Sequence, residues 1–240
     1  MGLRHTIAVI GSALALGVAR SLHAAELRGI VHLDGARPVP AFITIDATSK
    51  EHPMEGCGAA TKPSQRLLVD PNGGVQYAVV WVDVPMTTPH GPVEDVTSTL
   101  DQHECVFKPH LLLLPVGATL RIRNSDAMLH NVRIFRDRTM LMHEWQPPHG
   151  PELTWRVPEP GRFLVRCGVH AWMHAWVVVA DLPHAGVTDE AGQFTLSEIP
   201  EGRYTLRVWH ETLGEQQQRV TVGAEGSVVT VHVAQGRGFP

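Results

Sequence analysis

Apolar and polar residues alternate with a period of two along most of the chain, the signature of strands with one buried face. Gly29 to Leu33 and Ala41 to Ile45 read as strands parted by the turn-forming run Asp34-Gly35-Ala36-Arg37-Pro38. Arg66 to Val69 and Val75 to Val82 flank Asp70-Pro71-Asn72-Gly73-Gly74, a dense cluster of turn formers. Thr119 to Arg123, Asn131 to Phe135, Thr154 to Val157, Phe163 to Arg166 and Trp176 to Ala180 complete a first set of strands. Phe194 to Leu196, Tyr204 to Trp209, Arg219 to Val222 and Val228 to Val233 make a second. No window of helical length carries a clean 3.6-residue period. Many short strands at close spacing predict an all-β protein, a β-sandwich or Greek-key barrel. The break between the sets falls near Leu182-Pro183-His184, and the polar, Pro-rich Val84 to His103 is expected to be a long loop.

Composition narrows the class. The 240 residues include 22 Gly and 18 Pro, which favours turns over long helices. With 20 Lys and Arg against 24 Asp and Glu there is neither a basic excess nor a basic stripe, so nucleic acid is excluded as a partner. Met1 to Ala24 reads as a secretory signal peptide: Arg4 supplies the positive start, Thr6 to Ala19 the apolar run, and Ala24 and Ala25 the small-residue exit. That run is short and glycine-containing for a membrane span, which leaves an uncleaved anchor as the alternative. The expected location is periplasmic or secreted, with no stable membrane insertion after cleavage. The mature chain would carry 18 basic and 24 acidic residues, a net charge of −6.

Export changes the meaning of the cysteines, because an oxidising compartment favours disulfides. Three cysteines allow one bridge and one remainder. Cys57 and Cys105 lie in loop-like contexts and Cys167 ends a strand-like run, so the expectation is a Cys57–Cys105 bridge with Cys167 free. A free thiolate in an exported protein invites oxidation unless something holds it, and a metal would.

The segment Arg166-Cys167-Gly168-Val169-His170-Ala171-Trp172-Met173-His174 joins two strand-like runs. Cys167, His170 and Met173 follow one another at intervals of three, and a tight loop can aim all three side chains at one centre. Thiolate, imidazole and thioether form a soft set that suits copper far better than magnesium or calcium. A trigonal copper site needs a second imidazole. His130, in Asn124-Ser125-Asp126-Ala127-Met128-Leu129-His130-Asn131-Val132, stands at the start of a strand and is the natural candidate. Zinc is the competitor, but structural zinc sites use four strong ligands and methionine is a poor one.

On these residues the chain resembles the cupredoxins. Asn124 to Phe135, with its Leu-His-Asn-Val core, looks like the first-ligand region of plastocyanin-type members. Cys167-x-x-His170-x-x-Met173 followed by an apolar strand is similar to the short ligand loop of amicyanin-like members. The likeness spans roughly residues 110 to 181. It implies a Greek-key cupredoxin sandwich with one type 1 copper ion held by His130, Cys167, His170 and Met173. It also implies one-electron transfer, bracing of the ligand loops by Asn131, and an electron exit at the edge of His170.

Several neighbours carry two readings. His174 is a solvent-facing residue beside the site or a stronger axial ligand. Trp172 packs over the loop or lies at a docking surface. His110 is a strand-start residue that fixes a loop, or it supports the copper site. His143 and His149 flank Glu144-Trp145-Gln146-Pro147-Pro148 in an expected loop, solvated or as a second metal pair. Beyond residue 185, Val187-Thr188-Asp189-Glu190 and Ile199-Pro200-Glu201-Gly202-Arg203-Tyr204 each read as turn then strand. This stretch is similar to the carboxypeptidase regulatory-like (transthyretin-like) β-sandwich. The organisation expected is a signal peptide over 1–24, a copper domain with an N-terminal β extension over 25–182, and the small sandwich over 183–240. The small fold lacks its usual first strand there. Gly29-Ile30-Val31 could supply it from the N-terminus, making the copper domain an insertion. His210-Glu211 reads as a strand-end surface pair, with a polar contact toward the copper domain as the alternative.

The expected function is an exported single-electron carrier, not an enzyme, exchanging with a redox partner protein such as a cytochrome or dehydrogenase. Copper storage, delivery or sensing with the same ligands is the rival. A multicopper oxidase would need His-x-His pairs, and the chain contains none. A monooxygenase built on an N-terminal histidine would need cleavage before His23, which Leu22 at the exit position disfavours. A carbohydrate- or surface-binding β protein is the non-metal alternative.

Overall fold

The computed structural model describes residues 25–45, 55–57, 61–84, 96–180 and 184–234. The signal peptide predicted over 1–24 therefore lies outside the described residues. Eighteen strands run through the described residues. The first six are β1 (Ala25–Leu33), β2 (Phe42–Thr44), β3 (Thr61–Pro63), β4 (Val79–Val82), β5 (Thr97–His103) and β6 (Val106–Lys108). Then come β7 (Leu111–Leu114), β8 (Thr119–Asn124), β9 (His130–Arg136), β10 (Thr139–Gln146), β11 (Leu153–Arg156), β12 (Gly161–Cys167) and β13 (His174–Val179). The last are β14 (Ala185–Val187), β15 (Gln193–Ile199), β16 (Gly202–His210), β17 (Gly214–Val222) and β18 (Ser227–Val233). The only helical element among the described residues is a single 3₁₀ turn, Glu55–Cys57. The protein is all-β, as the alternation predicts.

Two sandwiches share the chain. In the first, a five-stranded sheet β10-β9-β12-β13-β7 faces a four-stranded sheet β11-β8-β5-β6. The period-two pattern aims Leu120 and Ile122 of β8 and Phe163 and Val165 of β12 into one core with Leu100, Phe107, Val132, Ile134 and Val177. Arg121 and Arg123 take the outward positions of β8. The second sandwich packs β15-β1-β18 on β14-β4-β16-β17 around Leu27, Val31, Val80, Leu196, Leu206, Val208 and Val231. β1 runs antiparallel to β15 and parallel to β18, so the N-terminal strand completes the C-terminal sandwich. β4 likewise pairs with β14 and β16. A boundary at 182/183 does not follow this hydrogen bonding: residues 25–33 extend the C-terminal sheets, and the first sandwich is inserted between their strands.

A third apolar cluster joins the two bodies, with Val79 and Trp209 from one meeting Leu111 and Val178 from the other. Trp176 meets Trp209 edge to face at 5.2 Å, a favoured aromatic arrangement.

Local chemistry sets the turns. Asp70 Oδ1 accepts from the amides of Asn72 (2.9 Å) and Gly74 (2.6 Å), and Gly73 takes φ 90°, a conformation that favours glycine. The turn forms as expected, but its upstream flank contributes only the single bridge Val69–Val75 instead of a strand from Arg66. Tyr204 Oη donates to the Pro200 carbonyl at 2.8 Å and fixes the turn before β16. Two other expectations are corrected. Residues 97–103 of the expected long loop are β5, stitched parallel to β8 from Thr97↔Thr119 to Gln102↔Asn124. His143 lies in β10, opposite Arg133 of β9, not in a loop.

Candidate metal centre

The centre is built where β9 begins and β12 ends. Cys167 stands opposite Val132 in the β12–β9 ladder, so the thiol and the side chain of His130 sit at the same end of one sheet. Beyond Cys167 the chain makes a closed loop: the Cys167 amide donates to the Met173 carbonyl (3.1 Å) and the Met173 amide to the His170 carbonyl (3.0 Å). A β-carbon at Gly168 would lie 2.5 Å from both Asn131 Oδ1 and Arg133 Nη2, so a larger residue there would displace the Asn131–Arg133 pair.

Three of the four residues named from the sequence meet directly. Cys167 Sγ is 3.7 Å from His130 Nδ1 and 3.6 Å from His170 Nδ1, and the two nitrogens are 3.0 Å apart. A metal about 2.1 Å from nitrogen and about 2.3 Å from sulfur, in a trigonal plane, needs ligand separations of roughly 3.6 to 3.8 Å. The two sulfur–nitrogen distances fit, and the nitrogen–nitrogen distance is somewhat tighter. His130 and His170 are fully buried and Cys167 is 5% exposed. Met173 is buried in the same core cluster, with its backbone closing the loop.

The donors are oriented from behind. Asp126 Oδ2 lies 2.8 Å from His130 Nε2, so the imidazole donates there and the ring is held with Nδ1 facing Cys167. Asp126 is itself held by the amides of Glu104 (2.5 Å) and Cys105 (2.9 Å). Burial would raise its carboxyl, but the hydrogen bonds from His130 and those two amides outweigh it and hold it below the ordinary range. For His130, burial favours the neutral ring, yet Asp126 and Cys167 together raise it above the usual imidazole value. For Cys167, burial would raise the thiol, but hydrogen bonds from His130, His170 and the Asn131 and His170 backbones bring it down to about 5. The pocket is therefore set to hold a thiolate. The Asn131 side chain donates from Nδ2 to the Glu144 carbonyl of β10 (3.1 Å) and accepts from Arg133 of β9 at Oδ1 (2.8 Å), bonds within its own strand and to the neighbouring one and not to the ligand loop.

The cysteines divide as the sequence implies: Cys57 and Cys105 form a disulfide, and Cys167 is free and buried. Met128 Sδ touches both bridged sulfurs, at 3.3 and 3.1 Å. The bridge also lies against His170, whose Nε2 is buried without a partner. The edge of His170, which the resemblance implies as an electron exit, is therefore closed to solvent. The Trp172 ring packs against it at 5.2 Å, and Trp172 Nε1 donates to the Cys105 carbonyl at 3.0 Å. Trp172 covers the loop.

His174 takes neither of its two expected roles. Its Nε2 lies 3.0 Å from Glu211 Oε2, away from the Cys167 cluster. His110 approaches the other oxygen of Glu211 at 2.5 Å. The reading of His210-Glu211 as a surface pair is also overturned. Glu211 is 6% exposed and contacts the first sandwich, while burial lowers His210 to about 4 and keeps it neutral.

Sequence reasoning did not single out Asp126 as a functional residue. Its signal was present, an acid four positions before the candidate ligand. For Glu211 the alternative weighed from the sequence, a polar contact toward the first domain, is the one the structure shows, although no local pattern points to His110 and His174 as its partners.

No protein-family model matches the chain, and no curated protein matches it in sequence. Solved structures similar to it include a purple cupredoxin from Nitrosopumilus maritimus, 20% identical, with 35% of this chain aligned to 99% of that one at TM-score 0.32. A reduced Cu(I) amicyanin variant is 23% identical over 42% of this chain and 98% of that one, at TM-score 0.33. A copper-containing nitrite reductase from Thermus scotoductus is 21% identical over 41% of this chain and 25% of that one, at TM-score 0.32.

Proposed function

We propose that His130, Cys167 and His170, with Met173 from the same loop, would hold one copper ion as a type 1 site. The protein then carries single electrons between redox partners outside the cytoplasm. The observation that supports this reading is the convergence of two imidazole Nδ1 atoms and one thiolate within 3.7 Å of one another, all buried. Copper bound there supplies a one-electron couple. The chain's contribution is to fix the donors so that both oxidation states meet the same geometry. Asp126 holds the His130 ring, the amides around Cys167 hold the thiolate, and the disulfide and Trp172 enclose His170 and keep water out.

Because His170 has no exposed edge, the approach for a partner is placed instead at Leu129 and Trp145. Both are exposed, at 44% and 55%, and Trp145 stands across the ladder from Asn131 beside His130. The partner class is a cytochrome or dehydrogenase. The C-terminal sandwich is a transthyretin-like accessory unit with no catalytic residues of its own.

The burial of His170 also favours a second reading, retention of Cu(I) for storage or delivery. Voltammetry of the copper-loaded chain separates them. A reversible one-electron wave, with electron exchange slowed when Trp145 is replaced by Lys, supports the carrier. Cu(I) that is bound and not oxidised reversibly supports storage.

A further inference from the structure

His110, His174 and Glu211 are far apart in sequence and meet in one place. His110 immediately precedes β7 and His174 opens β13. These strands pair in parallel from Trp176↔Leu111 onward, which brings the two imidazoles to the same end of the sheet. Their rings are 4.9 Å apart and nearly perpendicular. Glu211 follows β16 and reaches them from the other sandwich, across the contact of Trp209 with Trp176. Glu211 Oε1 is 2.5 Å from His110 Nε2 and Oε2 is 3.0 Å from His174 Nε2. One ligand atom from each residue lies within 4.8 Å of the other two.

Two features of the cluster point to a cation. His174 Nδ1 lies 3.2 Å from the Trp172 carbonyl, which can only accept, so that nitrogen carries the proton. Nε2 faces a carboxylate oxygen that is also an acceptor, so a positive charge, either a second ring proton or a metal ion, stands between them. A ring whose Nδ1–H is fixed by a carbonyl while Nε2 faces inward is the arrangement of a metal-bound histidine. The second feature is charge. Glu211 is buried, and among the described residues its ion-pair partners are only these two histidines, with no Lys or Arg. A buried carboxylate needs a compensating positive charge. Trp176 Nε1 donates to Oε2 at 3.0 Å and orients the carboxylate further.

We propose that His110, His174 and Glu211 form a second metal site, separate from the Cys167 centre, for a borderline divalent cation such as Zn²⁺. Two imidazoles, one carboxylate and a remaining position for water are a set that zinc accepts, at about 2.0 to 2.2 Å from each donor. The ion would clamp the C-terminal sandwich to the strand that leaves the copper loop.

The test adds Zn²⁺ to the copper-loaded full chain in the presence of a weak competing chelator. Metals retained per chain are counted, and X-ray absorption is recorded at the zinc edge. The expected result is one zinc per chain, copper retained, and a shell of two imidazoles plus oxygen without sulfur. Glu211→Gln should weaken zinc binding at least about tenfold. Asp34→Asn should leave it unchanged, which separates this site from the more exposed His32, Asp34 and His232 group on β1 and β18. Should Glu211→Gln fail to fold, the zinc-edge spectrum of the unsubstituted chain decides alone. No retained zinc, a sulfur donor in the shell, or binding indifferent to Glu211→Gln overturns the proposal. The first of these outcomes would identify the cluster as an imidazolium–carboxylate pair. Because sulfur marks only the Cys167 centre, a chain that failed to take copper would still give a clear answer.

Discussion

Two clusters share the segment from His170 to His174, and each joins two histidines to a third donor. At the Cys167 end the third donor is a thiolate, and every member comes from the first sandwich. At the His174 end it is the carboxylate of Glu211, and it comes from the second. The histidines are alike in the two places, so the third donor and the origin of the chain segments make the difference. A soft, polarisable sulfur in a single rigid body suits a redox metal. A hard oxygen delivered across an interface suits a fastener. The five residues from His170 to His174 carry a member of each, which places the two clusters next to one another along the chain.

The comparison can be broken most severely at sulfur. Cys167→Ser should abolish the intense thiolate-to-copper absorption entirely while leaving zinc uptake at the His174 end intact, as read by visible spectroscopy and metal counting. Asp126→Asn comes next. It removes the carboxylate that orients His130, and copper affinity should drop by about 10- to 100-fold with the colour retained, as measured by competition with a chelator.

Acidity sharpens the contrast. The folded Cys167 thiol titrates near 5, far below the ordinary value of 9.0. Thiolate is therefore present above about pH 5 and is lost as pH falls through it. Copper uptake by the metal-free chain should be insensitive to thiol protonation down to that point and then fall about tenfold per unit. An unchanged affinity down to pH 3.5 would contradict the assignment. Glu211, with its carboxyl held well below the ordinary range by His110 and His174 against the effect of burial, should stay ionised through that same interval.

Smaller effects fall at the interface. Glu211→Ala strands the donors of His110, His174 and Trp176, and should cost about 1 to 3 kcal/mol in denaturant unfolding of the metal-free chain. Glu215→Ala, on the exposed Arg162–Glu215 pair that also links the two sandwiches, should cost under about 1 kcal/mol.

What the sequence reveals follows the range of each interaction. Strands such as β8 and β12 are legible because alternation is local: Leu120, Ile122, Phe163 and Val165 announce their faces within a few residues. The ligand loop is legible because Cys167, His170 and Met173 lie within seven residues, and His130 because it begins the adjacent strand. β5 was hidden because its one apolar position, Leu100, is flanked by polar residues, and its parallel partner β8 lies 22 residues on. The membership of β1 in the C-terminal sandwich is a contact across some 170 residues that no local pattern encodes, although the missing first strand of that sandwich hinted at it. The electron exit at the edge of His170 was implied by the family resemblance and not by its own segment, and Trp172 and the Cys57–Cys105 bridge fold over that ring. Glu211 is the extreme case, a charged residue at a strand end whose burial depends wholly on how two sandwiches dock.

The central claim is that the thiolate of Cys167 and the imidazoles of His130 and His170 share one copper ion. The most direct measurement is addition of one equivalent of Cu(II) to the chain, with the visible and electron paramagnetic resonance spectra recorded together. Intense thiolate-to-copper absorption with narrow copper hyperfine splitting is the expected result. A pale protein with the wide splitting of ordinary tetragonal copper would remove Cys167 from the site and contradict it.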